Sequence, residues 1–136
     1  MKIYAVLILL LFITACSKDD TKPEVKEGTI FGKWYHKEIV VNNITFPYDD
    51  HEPCGKDYIE FYDTNKIKSI DVWACDEDLD WIGNFTKNNN SLTINNGSET
   101  RTVEIVELTN NTFSYKYDYD QDGNGVNEHY IEKYDR

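Results

Sequence analysis

The pattern that most constrains this chain is an apolar residue at every second position: Ile59 and Phe61, Leu92 and Ile94, Val103 and Ile105, then Phe113, Tyr115 and Tyr117. Successive side chains of an extended strand point to opposite faces, so this alternation marks strands with one buried face. No segment after the leader holds a helical period long enough to build a helix. The runs are separated by Asn, Asp and Gly clusters, residue types that accept the backbone angles of tight turns. Together these signals predict eight strands, approximately at 33–41, 57–62, 66–72, 81–87, 91–95, 101–108, 112–119 and 126–134, with longer connections at 42–56 and 73–80.

A meander leaves two unpaired edges, and closing it into a barrel removes both. The expected fold is therefore all-β, an eight-stranded antiparallel up-and-down barrel. The alternating apolar residues would face inward, and Glu60, Glu104, Lys116 and Asp118 outward. A membrane-spanning barrel is the rival, but several runs fall short of the ~9–11 residues a strand needs to cross lipid.

The first residues carry a different message. Lys2 precedes an apolar run from Ile3 to Ile13, too short for a spanning helix, and small residues follow at Thr14 and Ala15. This order is that of a secretion signal, assigned to residues 1–15. Ile13-Thr14-Ala15-Cys16 resembles the lipobox of bacterial lipoproteins, which implies acylation of Cys16 and anchoring to a membrane. Ser17-Lys18-Asp19-Asp20 is similar to the short export tag that places some lipoproteins on the outer face of the outer membrane. Residues 16–29 then form a lipidated, polar tether, and 30–136 the barrel domain. The expected localisation is a lipid-anchored protein of the outer membrane, exposed at the cell surface.

A net charge of −11 without a basic stripe repels phosphate backbones, so nucleic acid is excluded as a partner. With Cys16 lipidated, Cys54 and Cys75 remain as a pair in an oxidising compartment, where a disulfide is expected. The alternatives are two free thiols or half of a metal site, although no second pair stands at zinc spacing.

"IFGKWYHKEIV" places Gly32-x-Trp34 at the start of the first strand, and this resembles the Gly-x-Trp signature of lipocalins. "CGKDYIEFYDTNKIKS" is similar to the second and third strands of bacterial lipocalin-like lipoproteins, with one cysteine ahead of the second strand and a partner after the third. The resemblance implies that Trp34 packs across the closed end of the barrel, with Arg136 near it. It further implies a surface lipoprotein acting as a binding module for a small hydrophobic ligand or a protein partner.

In such a barrel alternate connections share an end, so 42–56, 73–80, 95–100 and 120–125 meet at one rim. Cys54 and Cys75 both fall there, and the tether falls at the opposite end. The same rim collects Asp49, Asp50, His51, Glu52, Asp76, Glu77, Asp78 and Asp80, an acidic mouth that disfavours fatty acids and phosphates and favours a cationic ligand or a basic partner.

Two further features bear on function. Asp118-x-Asp120-x-Asp122-Gly123-Asn124, with Glu128 beyond, resembles the front half of a calcium loop, although His129 stands where the twelfth-position glutamate belongs. The alternative is a hairpin turn whose Asp and Gly allow positive φ. The abundant aromatics either line a cavity, with Tyr115, Tyr117 and Phe61 as ligand-binding candidates, or fill the barrel; the filled interior is expected. No nucleophile elbow, zinc-binding helix or phosphate loop occurs, and His51 reads as a solvated loop residue, so no catalytic residues are assigned and no enzyme is expected. The main expectation is a non-catalytic binding module; the alternative is a filled interaction domain with an acidic, calcium-binding rim.

Overall fold

The computed structural model describes residues 28–136; the leader, Cys16 and nearly all of the tether lie outside the described residues. Nine strands follow one another: β1 (Gly32–Val41), β2 (Ile44–Pro47), β3 (Tyr58–Tyr62), β4 (Lys66–Trp73), β5 (Asp76–Asn88), β6 (Ser91–Asn95), β7 (Thr100–Leu108), β8 (Thr112–Tyr119) and β9 (Glu128–Asp135). Every neighbouring pair is antiparallel, and β1 also pairs with β9, so eight strands close into a barrel. Among the described residues there is no helix.

The ninth element corrects the expected count. β1 is longer than β3, which pairs with it only over Gly32–Tyr35. The rest of that edge is taken by β2, paired over Glu38–Val41, so a short hairpin finishes the ladder that β3 leaves open. Asn42 and Asn43 make its turn, both with positive φ, as a two-residue hairpin turn demands.

The expected long connection at 73–80 does not exist. β4 runs to Trp73, Ala74 and Cys75 turn with φ of 52° and 71°, and β5 returns from Asp76. The acidic run Asp76–Asp80 has poor strand propensity, yet it is held in the ladder by pairing with β4 over Ile70–Trp73. Ile70 and Val72 are buried on the outer face of this hairpin, and Gly55 lies against Val72. At the other end of the chain, the expected start at 126 moves to Glu128.

The alternating residues named above do face inward. Trp34, Ile59, Phe61, Ile67, Phe85, Leu92, Val103, Ile105, Leu108, Phe113, Tyr115 and Tyr134 form one buried cluster, with Ile94 and Tyr117 partly buried against it. Outside, Glu60 meets Lys68 at 2.8 Å and Glu104 meets Lys116 at 3.1 Å, each pair directly opposite across a strand boundary. The closed end is dense with rings: Phe61 lies edge-on to Phe85 at 4.9 Å, and Trp34 is 5.4 Å from Phe113. Burying each such ring contributes ~1.5–3 kcal/mol. Trp34 is fully buried, yet its indole N–H donates to Ile30 O at 2.7 Å and is not left unpaired.

Candidate functional site

Along the inward rows the chemistry changes from the closed end to the mouth. β3 reads Phe61, Ile59, then Asp57 just ahead of it; β4 reads Ile67, Ser69, Asp71; β7 reads Ile105, Val103, Arg101; β9 reads Tyr134, then Glu132. Near the closed end these side chains fill the interior. Toward the mouth they become polar and stop meeting, leaving a cavity of about 490 Å³. Its base and walls include Ile59, Ile67, Ile94, Val103, Tyr115 and Tyr134, with Trp81 at one side. The expected filled barrel is therefore half correct: aromatic packing closes one end, and the other stays open because the inward positions there carry charge.

Glu132 organises one wall. Tyr115 donates to its Oε2 at 2.6 Å and Tyr117 to its Oε1 at 2.7 Å, while the Tyr134 hydroxyl also donates to Oε2. One carboxylate thus gathers three phenols, and the apolar faces of Tyr115 and Tyr134 remain turned to the interior. Burial, together with the Glu132 charge, pushes the phenol pKa values of Tyr115 and Tyr134 well above the usual range, so both stay protonated donors.

On the other side of β1, the mouth rests on Asp57, which is almost fully buried. Its Oδ1 accepts the Val72 N–H at 2.7 Å and its Oδ2 the Tyr48 hydroxyl at 2.6 Å. The Asp57 N–H donates to His51 Nδ1 at 3.1 Å, and His51 Nε2 lies 2.7 Å from His36 O. A carbonyl only accepts, so Nε2 carries the proton and Nδ1 is the acceptor. His51 is therefore a clamp between loop and barrel, a role hidden in its acidic sequence context. His36 stacks on Tyr48 with ring centroids 4.8 Å apart, and burial lowers its pKa below the ordinary histidine value against the pull of Glu132 and Asp57.

The rim is pinned covalently. Cys54 and Cys75 form a disulfide with Cα atoms 5.6 Å apart, joining the loop after β2 to the tip of the β4–β5 hairpin. Both expected partners lie at the mouth, as the parity of the connections requires.

A lipocalin-like domain family model matches residues 30–115, well over half of the chain. The chain belongs to the lipocalin-like domain family. Among solved structures, a lipocalin-like protein from Bacteroides uniformis is similar, with 11% identity, a TM-score of 0.55, and coverage of 78% of this chain and 96% of that one. An uncharacterized protein from Bacteroides eggerthii is similar at 12% identity and a TM-score of 0.53, covering 76% of this chain and 98% of that one. At such identities the likeness is one of fold. No protein of curated function matches the chain.

In this lipocalin-like barrel the Gly-x-Trp residues stand at the closed end: Gly32 adopts φ 112°, and Trp34 lies beneath Arg136. Of the ligand-binding candidates, Tyr115 lines the cavity. Tyr117 does not line it but holds Glu132, which does. Phe61 is a correction: it lies among the closed-end rings, because it sits one inward position deeper than Ile59.

The calcium residues are also redirected. Asp120 accepts the N–H groups of Asn124 and Gly125, Asp122 accepts the Asn124 N–H, and Asn124 Oδ1 accepts Val126 N–H. Glu128 accepts the Gln121 N–H, and Asp118 pairs with His129 at 2.8 Å. Among the described residues no three His, Cys, Asp or Glu side chains converge on a metal position. These groups stabilise a β-hairpin loop, and Gly123 and Gly125 supply its positive φ.

Sequence reading missed Glu132, Asp57, Asp71 and Arg101 as cavity residues, whereas Trp81, one of the aromatics read as possible cavity lining, does line it. A usable signal existed: each of Asp57, Asp71, Arg101 and Glu132 continues an inward alternating row toward the mouth.

Proposed function

We propose that this lipocalin-like chain is a lipid-anchored extracytoplasmic binding module that takes a small molecule into the open half of its barrel and performs no chemistry on it. The observation that carries the reading is the cavity of about 490 Å³, within the ~300–1,000 Å³ range of small-molecule sites, with apolar walls and a few placed polar groups. A preformed rim supports it, since the Cys54–Cys75 bridge and the Asp57 hydrogen bonds hold the mouth in shape before any ligand arrives.

The anchoring part rests on the sequence of residues 1–20 alone. Attachment through Cys16 at the tether end leaves the mouth, at the other end, directed away from the membrane. Native mass spectrometry of protein purified from its own membranes tests the binding part: an unchanged small molecule at one equivalent is expected. Ligand-free protein that also takes up nothing from a soluble extract would overturn it. Incorporation of labelled palmitate, lost in Cys16→Ser, tests the anchor, and protease shaving of intact cells tests surface display.

A further inference from the structure

Five carboxylates line the cavity, those of Asp57, Asp71, Asp80, Glu99 and Glu132, against one guanidinium, Arg101. Arg101 is itself engaged: it meets Glu99 at 3.1 Å and lies over the Tyr117 ring at 4.8 Å. The remaining charge therefore faces a cleft whose low-dielectric walls concentrate its field. Building on the binding-module reading above, we infer that the cavity selects a small organic cation, an amine with an apolar or aromatic body.

Three observations converge on this class. The acids that line the cavity are not confined to the rim loops: Asp71 stands on β4, Asp80 on β5 and Glu132 on β9, while Asp57 and Glu99 lie just ahead of β3 and β7. Glu132 is preorganised by three phenols, and two of them, Tyr115 and Tyr134, line the cavity with it, so a carboxylate and aromatic rings are offered together. A cation can take the Coulombic attraction of the first and the quadrupole attraction of the second. The Asp71 carboxyl is held above its usual range by partial desolvation and by the charges of Asp57, Asp78 and Asp80, a crowding that a bound cation relieves. An anionic ligand meets the same charges with the opposite sign. A neutral apolar ligand gains the walls but forfeits the carboxylates.

A matched series of probes separates charge from shape: 2-(1-naphthyl)ethylamine, 2-(1-naphthyl)ethanol and 1-naphthylacetate, titrated calorimetrically into the full chain. The amine is expected to bind at least about tenfold more tightly than the alcohol, a difference of ~1.4 kcal/mol, with the carboxylate weakest. Glu132→Gln is expected to erase most of the amine's advantage over the alcohol. The Asp71→Asn, Asp80→Asn double variant, at exposed positions where folding is not at stake, should reduce it in the same direction. Alcohol or carboxylate binding as tightly as the amine would overturn the cation inference and leave the binding module standing. Failure of all three probes to bind would overturn both.

Discussion

The guanidinium of Arg136 lies 3.8 Å from the centroid of the Trp34 ring, joining the end of the chain to the start of β1 across the closed end of the barrel. The same side chain donates to Phe31 O at 2.6 Å and to Thr29 O at 3.0 Å. It thus satisfies carbonyls of the segment leading into β1 while covering a fully buried indole. Arg136→Ala is expected to cost ~1–3 kcal/mol, combining a cation–π contact with charge-assisted hydrogen bonds. Arg136→Lys recovers less than half, because a point charge cannot stack and fork together. Urea denaturation of the three proteins checks this; an unchanged midpoint for the alanine variant would refute it.

Removing the disulfide should loosen the mouth without dissolving the barrel. The bridge spans 21 positions, for which the loop-entropy account gives ~3 kcal/mol. The Cys54→Ser, Cys75→Ser double variant is expected to lose about that much stability and to keep its far-ultraviolet circular dichroism. Hydrogen exchange should rise in residues 48–57 and 70–80 and stay protected around Trp34. Uniform acceleration across the chain would contradict the assignment of the bridge to the rim.

Acid should weaken the fold through His36. Its folded-state pKa lies below the ordinary value because burial disfavours the charged ring. The unfolded chain therefore binds a proton that the native state refuses. The contribution is fully present above the unfolded pKa of ~6.5 and is lost as pH falls from there through the folded value. His36→Phe is expected to flatten the stability profile across that window. An unaltered slope would place its source elsewhere, in the carboxylates.

The last hairpin should ignore calcium. Asp120 and Asp122 spend their oxygens on the backbone N–H groups of Asn124 and Gly125. Asp120→Ala is expected to cost ~1–2 kcal/mol through lost loop hydrogen bonds, with or without the metal. Thermal unfolding in calcium and in chelator should coincide for the parent chain; a rise of several degrees in calcium would reinstate the metal reading.

How far the sequence carried the fold differs from element to element. The row Phe113, Tyr115, Tyr117 announced β8 and its buried face, since alternation is a local property of any strand with one wet side. Turn residues at 63, 88 and 109 fixed connections for the same local reason. The acidic stretch Asp76–Asp80 carries no such pattern, and it became strand only because Ile70 and Val72 needed a partner under the Cys54 loop. β2 was equally hidden: Ile44 and Phe46 are largely exposed, so no burial pattern marks it, and only the unequal lengths of β1 and β3 create its place.

By itself, then, the sequence determined eight of the nine strands, the inward parity, the placement of Cys54 and Cys75 at one rim and the Gly-x-Trp start, because each depends on spacing along the chain. Tertiary structure alone decided that the interior is closed at one end and open at the other, and that Glu132 gathers Tyr115, Tyr117 and Tyr134 into one wall. Whether inward side chains meet or leave a void depends on the radius of the closed barrel and the depth of each residue along it. Those distances exist only after β1 and β9 have joined.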